Sequence, residues 1–147
     1  MEITLRILLP HDELSVPVVR RVLATGMSAL GVERGVVDDI VLALTEAVTN
    51  VLDHAQDGDV YEVSASLRDN TAVVEVIDRG AGLPDDACNA PCAEPEAESG
   101  RGIAIMRALV DRVSFTSRPR EGTVVHLEKE LVWTPDSPLR RLSGSAH

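Results

Sequence analysis

Residues 36–50, VVDDIVLALTEAVTN, predict an amphipathic helix with one face in a core and a polar strip along its edge. The apolar residues recur every three or four positions, which is typical of a helix packed on one side, and the pattern continues to about His54. Residues four apart share a helix face, with Cβ atoms about 5–6 Å apart. Glu46 and Asn50 therefore project side by side, with His54 one turn further on.

Glu46 and Asn50 carry two groups that suit phosphate chemistry. A carboxylate can take a proton from a hydroxyl nucleophile. An amide oxygen can ligate Mg²⁺, which needs few protein ligands because it keeps waters and takes phosphate oxygens. Alone, such a pair is more often a solvated helix edge, and a helix-end histidine such as His54 can equally well interact with terminal carbonyls.

A second group of candidate residues, Asp78-Arg79-Gly80-Ala81-Gly82, follows a predicted strand. Asp78 ends that strand, and an ionised carboxylate can accept a hydrogen bond from the amino group of adenine. Gly80 and Gly82 let the backbone turn and approach a ligand without interference from a Cβ atom. Alone, the group would be a strand that ends in a turn.

The third group, Gly100-Arg101-Gly102, precedes a predicted helix. Backbone N–H groups at a helix start point toward a phosphate, and the helix dipole favours its charge. Arg101 could meet phosphate oxygens, although a surface arginine is the more common case. The acidic, proline-containing segment 83–99 lies between the second and third groups and is predicted to form a lid over bound nucleotide.

The remaining pattern predicts one domain with a two-layer α/β sandwich. A mixed, mainly antiparallel sheet is covered on one face by three helices. Ser15 is predicted to cap the first helix, and Gly31 to end it. Residues 1–133 form the predicted domain and 134–147 a flexible tail. The predicted elements are strand 3–9, helices 18–30 and 36–54, strands 60–67 and 72–78, helix 102–110, and strands 112–117 and 123–131.

Composition restricts the classes of partner and the location. The 147 residues carry a formal net charge of -10, which disfavours direct contact with nucleic acid. No apolar run approaches the roughly 20 residues of a membrane span, and the N-terminus lacks a signal-peptide pattern. We therefore expect a cytoplasmic location and no membrane partner. Cys88 and Cys92 are expected to be free thiols.

The three groups, in this order, resemble the N, G1 and G2 boxes of the GHKL (Bergerat-fold) ATPases, which include gyrase, heat-shock protein 90, histidine kinases and MutL. Each box alone is weak evidence for the family, and all three boxes together, each on the expected element, are much stronger evidence. The wider strings EAVTNVLDHA, residues 46–55, and GRGIAIM, residues 100–106, are similar to the RsbW/SpoIIAB branch of anti-sigma-factor serine kinases. The resemblance covers residues from about 3 to 131.

The resemblance implies ATP and Mg²⁺ as ligands and assigns roles to the candidate residues. Glu46 is implied as the catalytic base and Asn50 as the Mg²⁺ ligand. Asp78 is implied to contact adenine, and Thr123, which matches a threonine late in the family's sequences, to lie near it. Arg101 is implied to contact phosphate. The glycines implied to shape the pocket and lid are Gly80, Gly82, Gly100 and Gly102.

The resemblance also implies a function. The implied protein is an anti-sigma factor, usually a homodimer, that holds a sigma factor and phosphorylates a serine of a small STAS-domain antagonist. We expect none of the further domains that gyrase-like, chaperone and MutL proteins need, and the histidines are not arranged as a histidine kinase needs. Two alternatives stay open: a non-catalytic, nucleotide-dependent interaction regulator, and a small ATP hydrolase.

Overall fold

The computed structural model describes residues 2–53, 60–78, 96–118 and 122–138, with only the backbone described for 96–100 and 117–118. Among the helices described, none combines the length and the hydrophobicity needed to cross a bilayer. The elements, in chain order, are β1 (Glu2–Pro10), α1 (Ser15–Ala29), α2 (Arg34–Asp53), β2 (Val60–Arg68), β3 (Thr71–Asp78), α3 (Glu96–Leu109), β4 (Arg112–Arg118) and β5 (Gly122–Glu130).

The five strands form one sheet in the order β1-β2-β3-β5-β4. Every neighbouring pair of these strands is antiparallel, so the mixed pairing allowed by the prediction does not occur in the described sheet. α1 contacts β1 and α2, α2 contacts β3 and β5, and α3 contacts α2 and β4. The predicted two-layer α/β sandwich is therefore confirmed, with α2 as its central helix.

Aliphatic side chains build the core between the sheet and the helices. Burial alternates along β3, where every second residue is buried, as expected for a strand with one covered face. α2 contributes a continuous buried stripe, and Leu44, Ala47 and Val48 in it have no exposed surface. Burying a side chain the size of Val or Leu stabilises a fold by about 1.5–3 kcal/mol, so this stripe holds α2 firmly against the sheet.

The start of α3 differs from the prediction. The helix begins at Glu96, so Gly100 and Gly102 lie inside it and not at its first turn. The prediction that the helix starts at these two glycines is therefore wrong. The acidic residues of the sequence EAES, 96–99, explain the difference, because carboxylates favour the first turn of a helix and the glycines only weaken helix formation.

The start of α1 also differs from the prediction. Leu14 occupies the N-cap position without a side-chain cap, and Ser15 is the first helical residue. The Asp12 carboxylate accepts the N–H of Leu14 at 2.9 Å. The Ser15 hydroxyl instead donates to the Asp12 carbonyl at 2.7 Å and contacts the Tyr61 hydroxyl. The prediction that Ser15 caps α1 is therefore wrong, because the Ser15 hydroxyl bonds Tyr61 of β2, an inner strand of the sheet.

The end of α1 follows the prediction. Gly31 has a φ of +89°, the left-handed region that favours glycine. The Val32 N–H donates to the Met27 carbonyl, and the Gly31 N–H donates to the Ser28 carbonyl, at 3.0 Å each. This pair of bonds is the Schellman pattern, and Met27 and Val32 are both buried, which completes it.

The C-terminal segment 131–138 packs against the end of α1. The Thr134 N–H donates to the Gly31 carbonyl at 2.7 Å, and the Ser137 hydroxyl donates to the Leu30 carbonyl at 2.6 Å. Ser137 is fully buried. The flexible tail was predicted to start at residue 134, but residues 134–138 pack against α1. Residues 139–147 lie outside the described part of the chain.

Gly31→Ala should destabilise the fold strongly. An added Cβ would lie 2.4 Å from Ser137 Cβ, at a φ that alanine rarely adopts. We expect a loss of about 2–4 kcal/mol in the free energy of unfolding in urea. Gly26→Ala is the matched control, because its Cβ would meet nothing within 4 Å and it lies inside α1, where alanine stabilises by about 0.5–1 kcal/mol. Equal stability of the two variants would contradict this packing.

A histidine between two carboxylates lies on the sheet face away from the helices. His126 on β5 contacts Glu75 through Nδ1 and Glu128 through Nε2, each at 2.7 Å. Partial burial lowers the pKa of His126, but the hydrogen bonds and charges of the two glutamates outweigh burial and raise it above 6.5. The hydrogen bond from His126 in turn lowers the pKa of Glu128 below 4.5.

His126 should therefore make stability depend on pH. The charged histidine stabilises the folded state fully below its unfolded pKa of about 6.5, and this contribution is lost as pH rises through the higher folded value. We expect His126→Gln to cost roughly 1 kcal/mol at pH 6 and much less at pH 9, measured by urea unfolding. A cost that is the same at both pH values would show that the charge of His126 contributes nothing.

Candidate functional site

The polar strip of α2 lies beside its buried stripe, as its spacing predicts. Glu46 and Asn50 are both half-buried, whereas Thr49 between them is exposed. The residue that follows Glu46, Ala47, is fully buried, so the helix is held by its core face while Glu46 is turned toward the neighbouring helix. α2 contacts α3 on this side.

Gly102 of α3 lies directly against Glu46. A Cβ atom added at Gly102 would be 3.0 Å from Glu46 Oε1 and 3.9 Å from Glu46 Cβ. A contact of 3.0 Å is tight for a Cβ, so a side chain at this position would press on the carboxylate. The structure therefore brings the first and third groups of candidate residues together, through helix packing and not through the predicted helix start.

Asp78 and Thr123 lie opposite one another on neighbouring strands. Asp78 is the last residue of β3, and its partner in the register of β5 is Thr123. The alternation along β3 puts Asp78 on the same face as buried Val74 and Val76, which is the face covered by the helices. Thr123 and Asp78 therefore lie at the same end of the sheet, on the face covered by the helices.

Two residues that the sequence did not single out for the site, Tyr61 and His11, lie beside Asp78. Tyr61 is the register partner of Asp78 on β2. His11 Nε2 lies 3.6 Å from Asp78 Oδ1, and the His11 and Tyr61 rings are 5.6 Å apart. Burial raises the pKa of Tyr61, and its hydrogen bond to Ser15 opposes that rise. The one signal in the sequence was position, since His11 follows β1 directly and Tyr61 is the second residue of β2.

Part of the predicted site lies outside the described residues. This applies to Gly80 and Gly82, to residues 83–95 of the predicted lid with Cys88 and Cys92, and to His54. Gly100 lies in α3, where only its backbone is described, and the Arg101 side chain is exposed. The roles of these residues, and those of Glu46, Asn50, Asp78 and Thr123, stay predictions.

The predicted magnesium nucleotide would need few ligands from the protein. Within the described ranges, no three His, Cys, Asp or Glu side chains are grouped so that they could hold a metal ion. Mg²⁺ takes most of its ligands from phosphates and water, so one amide such as that of Asn50 is enough. Gly102 brings only backbone atoms to the Glu46 carboxylate, because a Cβ atom there would lie 3.0 Å from Glu46 Oε1.

Comparisons with known proteins agree with this fold. Residues 9–129 match the family described as Histidine kinase-like ATPase domain. An anti-sigma F factor of Pasteuria penetrans is 38% identical over 101 residues, which cover 63% of this chain and 67% of that protein. The anti-sigma F factor of Bacillus subtilis (strain 168) is 36% identical over 101 residues, covering 63% of this chain and 68% of that protein.

A solved structure is similar over most of the chain. The structure of the RsbU and RsbW domains of a Mycobacterium tuberculosis protein aligns with a TM-score of 0.68 and 25% identity. The alignment covers 88% of this chain but only 32% of that longer one, so this chain corresponds to one part of it.

These similarities define the class of protein. The chain belongs to the histidine kinase-like ATPase family, the GHKL class, and within that family it groups with the anti-sigma factors. The three groups of residues that resemble the family's boxes thus lie in a chain whose fold is that of the family.

Proposed function

We propose that this chain is an ATP-binding anti-sigma factor with serine/threonine kinase activity. It would phosphorylate a serine of a small STAS-type antagonist and sequester a sigma factor. The proposal rests on one observation above all: the candidate base Glu46 is present, half-buried, and packed against Gly102 in a chain related to anti-sigma F factors. A nucleotide-binding module without catalysis would not need a carboxylate at this position.

The proposed reaction is a phosphoryl transfer from ATP to a serine hydroxyl. Glu46 accepts the hydroxyl proton as the serine oxygen attacks the γ-phosphorus. The bond between the γ-phosphorus and the β–γ bridging oxygen breaks, and ADP leaves with that electron pair. Mg²⁺ bound with ATP, with Asn50 as a ligand, would neutralise the charge of the phosphates.

The other candidate residues have supporting roles in this proposal. Asp78 accepts a hydrogen bond from the adenine amino group, with Thr123 beside it on β5. Because α3 begins at Glu96, Gly100 and Gly102 would act by allowing close approach to the nucleotide and to Glu46. The remaining proposed contacts are Gly80 and Gly82 at the purine end and Arg101 at the phosphates.

The proposed partners follow from the relatives' name and from the resemblance. An anti-sigma F factor is a protein that acts on a sigma factor, so a sigma factor is the proposed target of this chain. Unphosphorylated antagonist would displace the sigma factor, and phosphorylation of the antagonist would free the kinase to bind sigma again. A homodimer in the cytoplasm is the proposed working form.

Glu46→Gln should abolish phosphoryl transfer while ATP still binds. The amide keeps the size of the side chain but cannot accept the proton, so we expect the transfer rate to fall about 10²–10⁴-fold. The assay follows the label of [γ-³²P]ATP onto a STAS-domain antagonist. Asp38→Asn, an exposed carboxylate on the same helix, is the matched control and should leave transfer unchanged.

The same assay separates the alternatives. Label on a serine of the antagonist supports the kinase, free labelled phosphate supports a hydrolase, and neither product supports a non-catalytic regulator. Transfer by Glu46→Gln within tenfold of the wild-type rate would remove Glu46 from the role of base.

Asp78→Asn should weaken ATP binding. A hydrogen bond to a charged group contributes about 1.5–3 kcal/mol, so we expect the Kd for ATP, measured by calorimetry with Mg²⁺ present, to rise at least tenfold. Asp69→Asn is the matched control, because Asp69 lies in the β2–β3 turn at the other end of these strands and its φ of 56° suits asparagine. An unchanged Kd for Asp78→Asn would remove this carboxylate from the site.

A further inference from the structure

The short connection between β1 and α1 is held in one conformation by its own hydrogen bonds. The Asp12 N–H donates to the Pro10 carbonyl, and the Ser15 N–H donates to the Asp12 carbonyl, both at 2.8 Å. The Ser15 side chain joins this connection to Tyr61 of β2. His11 lies between these anchors, so its backbone position is fixed from both sides.

The His11 side chain points into the fold and toward the end of β3. It is 3% exposed, although the residues that follow it, Asp12 and Glu13, are exposed. The ring lies beside that of Tyr61, tilted by 32°, which restricts its rotation. Its Nε2 atom lies 3.6 Å from Asp78 Oδ1. Such burial of a polar ring in contact with a carboxylate is costly unless the pair is well oriented.

The geometry points to His11 as a positioning residue that orients the Asp78 carboxylate for recognition of a purine 6-amino group. This inference rests on the proposed function, because it concerns the same nucleotide site. His11 would not touch the nucleotide itself. It would act through Asp78, by restricting the rotation of the carboxylate so that an oxygen faces the ligand.

The orientation of Asp78 matters because a hydrogen bond tolerates only small departures from its preferred geometry. A hydrogen bond weakens steeply when its angle or distance departs from the preferred range, and a carboxylate at the end of a strand can rotate about two side-chain bonds. Asp78 is only 12% exposed in its side chain, so water competes little for it. A polar neighbour such as the His11 ring therefore has a strong effect on the direction of the carboxylate oxygens.

The test uses two nucleotides that differ only in the group that Asp78 is proposed to recognise. ATP carries the 6-amino group, and purine riboside 5′-triphosphate lacks it. For the wild-type chain with Mg²⁺, we expect ATP to bind at least about tenfold more tightly, as the loss of a hydrogen bond to a charged group predicts. In His11→Leu, this preference should fall at least about fivefold, because Asp78 is no longer oriented.

A conservative variant and a control complete the design. His11→Gln keeps an N–H donor near the position of Nε2 and should restore most of the preference for ATP. His126→Gln, a histidine on the opposite face of the sheet, should leave both Kd values unchanged. Urea unfolding of each variant checks that the chain is folded at the temperature of the binding measurement.

Each outcome supports or overturns the inference that His11 orients Asp78. A smaller ATP preference in His11→Leu, restored in His11→Gln, supports the inference. If binding of both nucleotides weakens equally, His11 only supports the structure. If both Kd values are unchanged, His11 has no effect at the site. Either result overturns the inference and leaves the proposed function standing. A wild-type chain that binds neither nucleotide would overturn both.

Discussion

The burial of α2 against the sheet is the constraint on which the candidate site depends. With Leu44, Ala47 and Val48 fully buried, the helical repeat turns Glu46 away from this core face, and its carboxylate lies beside Gly102 of α3. A larger residue in place of Gly102 would bring its Cβ to 3.0 Å from the Glu46 carboxylate, which would then have to shift by a few tenths of an ångström. The same packing that stabilises the fold thus sets the position of the candidate base.

The purine end of the candidate site depends on the sheet and not on a helix. Antiparallel pairing places Asp78 between Tyr61 and Thr123 on the two neighbouring strands. The connection from β1 then adds His11 at the same end. Each of these residues lies at or next to the end of a strand, so a change in register would separate them, because a shift of one residue turns every side chain to the other face.

Much of this arrangement could be predicted from the sequence, for local reasons. The spacing of Glu46 and Asn50 on a helix and the conformation of Gly31 at a helix end depend on neighbours a few residues away. The first turn of α3 was missed because glycine weakens a helix without ending it. His11 was missed because its contact with Asp78 joins residues far apart in the chain, and no periodic pattern marks such a contact.

The C-terminal segment was missed for a related reason. Proline, serine, glycine and arginine make up much of the sequence from residue 134 onward, which is typical of a mobile tail, yet Ser137 is buried and its hydroxyl bonds the end of α1. Trp133 also donates to the Asn70 side chain at 3.1 Å, which ties the segment to the β2–β3 turn. This end of the domain is remote from Asp78 along β3, so it offers an internal reference for ligand effects.

The most direct test of a single nucleotide site is a titration of the isotope-labelled chain with ATP and Mg²⁺, followed by NMR of its backbone amides. If the segments converge on one ligand, the amide signals of Glu46, Asp78 and Gly102 should shift together with one Kd, while those of Asn70 and Trp133 stay in place. Signals that shift with different Kd values, or that shift only near Asn70 and Trp133, would contradict a common site at the junction of α2, α3 and β3.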